Sequence, residues 1–193
     1  MIRDNRPGSR RQLFRESLGE WLEKALAATE ERMVPERYLR PPGALPEVAF
    51  LAACTRCGEC VAACPPKVIR TVPTSGGLAA GTPYLDVLRS PCIACPDMPC
   101  AAACPTEALT IPAEGWTDYH LGVLEFVPER CVTYHGTPCR ACADACPVGE
   151  KALAMDELGH PVLKPEGCVG CGVCIRACIS VPSSFNFRPK ASS

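Results

Sequence analysis

Sixteen cysteines fall into four groups of four, and no other feature restricts this chain's fold as much. The groups are Cys54-x2-Cys57-x2-Cys60-x3-Cys64-Pro65, Cys92-x2-Cys95-x4-Cys100-x3-Cys104-Pro105, Cys131-x7-Cys139-x2-Cys142-x3-Cys146-Pro147 and Cys168-x2-Cys171-x2-Cys174-x3-Cys178. No cysteine is left over. Thiols this dense either pair with one another or bind metal. A disulfide framework calls for an oxidising compartment and usually a short secreted chain, and crowded Cys-x2-Cys-x2-Cys loops suit it poorly. Structural zinc uses paired Cys-x2-Cys knuckles, four ligands to a metal. Three closely spaced cysteines followed by a fourth and a proline do not make that pattern.

The spacing is that of iron–sulfur cluster loops. The first group matches the run of bacterial two-cluster ferredoxins, and the fourth matches it except that Ile179 stands where proline is usual. The second and third depart by an x4 and an x7 gap and are read as cluster loops as well. Four [4Fe–4S] clusters are therefore expected, with all sixteen cysteines as ligands. Three thiolates of each loop hold one cubane, and the fourth reaches across to another. The spacing predicts that each fourth cysteine opens a helix, with the proline in its first turn. Gly58, Gly170, Gly172 and many alanines line the loops, letting backbone N–H groups approach the sulfur atoms and tune the potential.

The chain repeats itself. The first cysteines of successive groups lie 38, 39 and 37 residues apart, and each interval follows the same grammar of loop, short helix, strand, turn and strand. Strands are expected at Val68–Val72, Ala108–Ile111, Gly122–Val127, Ala152–Met155, Val162–Leu163 and Phe185–Phe187. One repeat cannot complete a cluster alone, so two repeats exchange fourth cysteines and strands. The expected fold class is α+β: two ferredoxin-like 2[4Fe–4S] units built from four cysteine-motif repeats, with an N-terminal amphipathic helix. Whether neighbouring repeats pair, or the first pairs with the fourth and the second with the third, is not decided by the spacing.

Composition supports this picture. The 193 residues carry a net charge of −1, and the 47% hydrophobic content includes the sixteen cysteines, so the clusters stand in for much of a modest aliphatic core. Twenty-one prolines and fifteen glycines imply short elements and many loops. The near-neutral charge gives no nucleic-acid footprint, and no apolar stretch is long enough for a membrane span. Arg10-Arg11 looks like a twin-arginine signal, but Glu16, Glu20, Glu23 and Lys24 follow where an apolar region is required. Leu13, Phe14, Leu18, Trp21, Leu22, Ala25 and Leu26 instead recur at helical spacing, predicting an amphipathic helix over about residues 12–32. Its apolar stripe packs on the cluster domain or docks on a partner helix. The expected organisation is a basic segment and helix over 1–40, a four-cluster domain over 41–183, and a strand and tail over 184–193.

Several segments carry a family resemblance. Arg40-Pro41-Pro42-Gly43-Ala44 and Phe50-Leu51-Ala52-Ala53-Cys54-Thr55-Arg56-Cys57-Gly58 resemble the ferredoxin-type NapF/NapG/MauM proteins of periplasmic nitrate reductase and methylamine utilisation systems. Gly81-Thr82-Pro83-Tyr84 and the x4 gap from Cys95 to Cys100 are similar to NapG and MauM. The x7 gap with Tyr134 inside it is similar to both branches. The resemblance covers about residues 40–180 and implies four [4Fe–4S] clusters and a role in passing electrons to a partner. Related four-cluster subunits imply the nested pairing. Cys54, Cys57, Cys60 and Cys178 then share one cluster, and Cys168, Cys171, Cys174 and Cys64 its neighbour. Cys92, Cys95, Cys100 and Cys146 form another, and Cys131, Cys139, Cys142 and Cys104 the last. NapG and MauM carry a true twin-arginine signal. Without the apolar region this chain is closer to cytoplasmic NapF, so a cytoplasmic location is expected, with export through Arg10-Arg11 as the alternative.

The function expected is an electron carrier, a polyferredoxin relaying single electrons to or from a partner redox enzyme. No catalytic residue stands out, and no phosphate-binding glycine motif follows a strand. The alternatives are a cytoplasmic assembly factor supplying clusters or electrons to a metalloenzyme, and a fixed subunit of a larger oxidoreductase, with docking to a membrane complex open. Of the three histidines, His120 and His160 stand apart from the loops. His135 lies between Cys131 and Cys139, placed to hydrogen-bond a sulfide or gate protons, against the plainer reading of an exposed loop histidine.

Overall fold

The computed structural model describes residues 38–117 and 119–189. The helix expected over 12–32 and the Arg10-Arg11 pair lie outside them. Among the described residues the fold is α+β, with short helices and three two-stranded antiparallel ribbons. No helix among them is long and apolar enough to cross a membrane.

Helix α1 (Glu47–Ala53) begins after Pro46, whose fixed φ suits a helix entrance, and places Glu47 in the first turn where the helix dipole favours an acid. Its inward residue, Phe50, is fully buried, worth about 1.5–3 kcal/mol on the usual scale for a large apolar side chain. Arg40 holds this helix to the rest of the fold. Its Nε and Nη2 donate to the two carboxylate oxygens of Glu47 at 2.9 and 2.6 Å, and its Nη1 donates to Thr82 Oγ1 and the Pro83 carbonyl at 2.8 Å. The guanidinium also lies 4.6 Å from the Phe50 ring centroid.

The cysteine helices are α2 (Glu59–Ala63), α3 (Pro99–Ala102), α4 (Ala141–Asp144) and α5 (Val173–Ala177). Each runs between the third and fourth cysteine of its group, so the fourth cysteine follows a helix instead of opening one. Cys64 is extended at φ −67°, ψ 115°, and Cys178 at φ −63°, ψ 128°. The x3 spacer is one turn of small, helix-compatible residues. A proline next in sequence disfavours the helical conformation for the cysteine before it, so Pro65 stops the helix at Cys64. Cys178 adopts the same geometry before Ile179, so proline is not needed for it.

Ribbon β1–β2 pairs Ile69–Thr71 with Pro83–Leu85, Ile69 opposite Leu85, both buried. Ribbon β4–β5 pairs Leu153–Met155 with Pro161–Leu163 around a turn in which Asp156 Oδ1 accepts the N–H groups of Leu158 and His160. The third ribbon joins distant segments, β3 (Gly122–Phe126) and β6 (Phe185–Pro189), in a register running from Gly122 opposite Pro189 to Phe126 opposite Phe185. The first two ribbons thus close within single intervals, and only the third exchanges strands, between the second repeat and the fourth. The strand expected at Ala108–Ile111 reduces to one bridge, Leu109 opposite Ala44. Its neighbour contains Pro41 and Pro42, which have no N–H to extend a ladder. Gly43, at φ +77°, lets the chain pass so close to Thr110 that a Cβ there would sit 1.8 Å from the Thr110 carbonyl oxygen.

Helix α2 packs on α3, and α4 on α5. Around the first pair lies a core of Phe50, Ile69, Leu85, Met98, Leu109 and Leu121, and around the second a smaller one centred on Leu124, Leu153 and Phe185. Cysteines belong to both cores, which positions the thiols against apolar walls.

Candidate metal centre

All sixteen cysteines are free thiols, and eight of them line two cavities. Cys54, Cys57 and Cys60 line one cavity together with Cys104. Phe50, Val61, Ala108 and Leu109 wall it, and it holds about 400 Å³ of atom-free space, part of it open to solvent. Cys92, Cys95 and Cys100 line a second of about 340 Å³ together with Cys64, walled by Val68, Ile69, Leu85 and Met98. Among the described residues no three Cys, His or carboxylate groups converge tightly on one point, as the ligands of a single metal ion would. Four thiols spread around an apolar void suit a polynuclear group.

The thiol environments point the same way. Burial pushes Cys60 up to about 11, with Cys54, Cys100 and Cys104 adding to it. Burial, then the neighbouring Cys64, raises Cys100 to about 11. Cys92 reaches about 12 through burial and the nearby Cys171, Cys100 and Cys95. In the other half, burial raises Cys171 to about 11 and drives Cys174 above its ordinary value, with Cys146 contributing to both. Cys142 is raised to about 11 by burial and by Cys131 and Cys139. A metal ligand must be a thiolate. Apolar burial and mutual repulsion oppose that charge, and cationic irons supply the compensation.

Two of the fourth cysteines differ. Burial would raise Cys178, but it is brought down to about 7 by Ser184, whose N–H lies 3.4 Å and hydroxyl 3.6 Å from the sulfur, with Ser180 and Ser183 adding. Cys104 is lowered for the same reason, its burial outweighed by the Leu109 N–H at 3.5 Å and by Thr106. In both places the chain turns back on the cysteine that ends the helix and aims donors at its sulfur.

Two cavity linings group the cysteines otherwise than the nested arrangement implied by the resemblance. Cys178 does not line the cavity of Cys54, Cys57 and Cys60, where Cys104 takes the fourth place. Cys64 lies with Cys92, Cys95 and Cys100, away from its expected company of Cys168, Cys171 and Cys174. Cys146 lies beside Cys168, Cys171 and Cys174, not with the Cys92 triplet. The reason is helix packing. Each fourth cysteine follows its helix, and α2 lies on α3, so Cys64 and Cys104 cross to each other's loops.

His135 is exposed, and its Nε2 pairs with the Glu129 carbonyl at 2.9 Å, facing its own loop. The other two histidines make the contacts that sequence reading missed. His120 Nδ1 pairs with the Cys168 carbonyl at 2.8 Å. His160 stacks on Tyr134 with ring centroids 4.0 Å apart and reaches Thr133 Oγ1, which lies 3.2 Å from the Cys131 sulfur. Both contacts span more than 25 residues of chain, so no local pattern signals them.

Comparison with known proteins agrees with this chemistry. A family model described as a 4Fe-4S dicluster domain matches residues 53–108, and one described as a 4Fe-4S binding domain matches residues 165–178. The methylamine utilization ferredoxin-type protein MauM of Methylorubrum extorquens is 37% identical over 162 residues, covering 80% of this chain and 74% of its own. The ferredoxin-type protein NapG of Escherichia coli is 38% identical over 162 residues, covering 78% of this chain and 70% of its own. The ferredoxin-type protein NapF of the same organism is 30% identical over 145 residues, 72% of this chain and 79% of its own.

Proposed function

We propose that the chain, which belongs to the family of ferredoxin-type proteins that includes MauM and NapG, holds four [4Fe–4S] clusters and passes single electrons to or from a protein redox partner. The observation that carries this reading is the pair of cavities, each bounded by three cysteines of one group and the fourth of its neighbour. The ligand sets we propose are Cys54, Cys57, Cys60 with Cys104; Cys92, Cys95, Cys100 with Cys64; Cys131, Cys139, Cys142 with Cys178; and Cys168, Cys171, Cys174 with Cys146. The first two sets follow the cavity linings, and the fourth follows the proximity of Cys146. The third follows from the packing of α4 on α5, which leaves Cys178 to the Cys131 loop. The chain then forms two ferredoxin-like units.

A bound [4Fe–4S] cluster supplies a one-electron couple. The chain's own residues set its environment. Sixteen thiolates hold iron, Phe50 and Met98 keep water from the cavity walls, and N–H donors at Cys104 and Cys178 offset negative charge on sulfur. With every cysteine used as a ligand, none is left to act on a substrate.

The test is iron and acid-labile sulfide per chain on anaerobically purified protein, with reductive EPR titration of the same sample. About sixteen irons and magnetically coupled [4Fe–4S]⁺ signals are expected. A content near eight would sink the four-cluster reading. Ready transfer of a cluster to an apo-enzyme would favour an assembly factor instead.

A further inference from the structure

The second and fourth cysteine loops meet where the two halves of the chain come together. The Cys92 N–H donates to the Cys171 carbonyl at 3.0 Å, joining the second group to the fourth. Around this bond the backbones are as near as glycine allows. A Cβ on Gly172 would sit 2.8 Å from the Val87 carbonyl oxygen, and one on Gly170 would sit 2.3 Å from that of Gly122. One residue further on, the Leu121 N–H donates to the Val169 carbonyl at 2.8 Å. Cys92, Val169 and Cys171 are buried in the first core, whereas Cys174 of the same loop is buried in the second. The fourth loop is therefore shared by both. Of the first three cysteines in each group, two are at least partly exposed in the first (Cys54, Cys57) and third (Cys139, Cys142), against one in the second (Cys95) and one in the fourth (Cys168).

We propose that the Cys92–Cys171 contact is the electronic junction between the halves, and that the four sites form a line in the order first, second, fourth, third, which is not their order in the sequence. This rests on the four-cluster reading above. The first and third groups are then the ends of the line, and a partner protein's one-electron centre exchanges electrons there. Passage across the junction leaves no net change in the chain. One electron lost by the site of the second group is gained by that of the fourth, with no bond made or broken and no proton required. The repeat grammar alone would put the second group next to the third, since they are neighbours in sequence. The long segment after Cys104 instead carries the chain past the fourth loop before Cys131 is reached.

The test removes one site at a time and reads spin coupling in the fully reduced holoprotein. In a line, Cys57→Ser takes away an end and leaves three mutually coupled centres with no simple, unsplit signal. Cys95→Ser takes away an interior member and leaves the first site alone, so one unsplit [4Fe–4S]⁺ signal emerges beside a coupled pair. An unsplit signal after Cys57→Ser, or none after Cys95→Ser, overturns the order. Should either variant lose more than its own site, Gly170→Ala provides a second route. Its methyl group wedges the loops apart while keeping all sixteen cysteines, so coupling between the halves is lost and two independent pairs remain. Unchanged splitting at full iron content overturns the proposal. Wild-type protein far short of about sixteen irons fails the four-cluster reading itself, whereas full content with the wrong pattern of splitting refutes the order alone.

Discussion

Arg40→Ala should unfasten the first unit. The guanidinium is 3% exposed and makes four hydrogen bonds, two to Glu47, one to Thr82 and one to the Pro83 carbonyl. Truncation strands the Glu47 carboxylate, itself 19% exposed, and removes the bridge between α1 and ribbon β1–β2. Breaking one side of a buried ion pair costs about 3–5 kcal/mol, because the remaining charge stays desolvated without its partner. The partial exposure of Glu47 lets water return to it, which places the expected loss near the lower end, about 3 kcal/mol. The charge-assisted bonds to Thr82 and Pro83 add about 1.5 kcal/mol each. Arg40→Lys keeps the charge but loses the planar fork, and should fall between wild type and Arg40→Ala. Since Phe50, under the guanidinium, also walls the cavity of Cys54, Cys57, Cys60 and Cys104, the damage should reach that site first. The assay is anaerobic denaturant unfolding followed by visible absorbance of the clusters, with iron content measured before unfolding. An Arg40→Ala protein within about 1 kcal/mol of wild type, the range of an exposed pair, would refute the reasoning.

Two glycines with similar positive φ should separate backbone strain from steric conflict. Gly58→Ala, with open space around the added carbon, should cost only the left-handed conformation, about 1 kcal/mol. Gly43→Ala must also push away the Thr110 carbonyl and should be several-fold worse in the same unfolding assay. The Ser184 hydroxyl accepts from the Cys178 thiol and turns donor once that sulfur is a thiolate ligand; Ser184→Ala removes it and keeps the N–H. One cluster should shift to a more negative potential in an EPR-monitored titration while three stay put, and a uniform shift would point to global loosening instead. Stripping iron with a chelator under oxidising conditions should abolish near-UV circular dichroism, because buried thiols form part of both cores. A metal-free chain that kept its near-UV spectrum and two-state unfolding would show that the apolar residues suffice.

The chemistry was legible in the sequence because it is local. Three cysteines within seven residues can only curl around a shared centre, and the one-turn spacer fixes the distance to the fourth. Turn signals were legible for the same reason, as at Asp156–Gly159. The helix boundary was misread because Cys-Pro suits a helix start as readily as a stop, and the preference of Pro65 for an extended Cys64 decides it. The strand at Ala108–Ile111 failed because its neighbour, two prolines and a glycine, cannot sustain a ladder.

What remained undetermined by sequence was every relation between distant loops. Intervals of 38, 39 and 37 residues are nearly equal, so they give no reason to prefer one exchange of fourth cysteines over another. The choice rests on which helices pack together, and that depends on side-chain shapes brought from remote parts of the chain. The contact of Cys92 with Cys171 and the contacts of His120 and His160 depend on the same long-range folding. Local spacing determined that the chain binds 4Fe–4S clusters, because a few bonds fix how far apart neighbouring thiols can be. Tertiary packing decided which loops face one another, because closing a long chain segment costs almost the same free energy for every candidate partner.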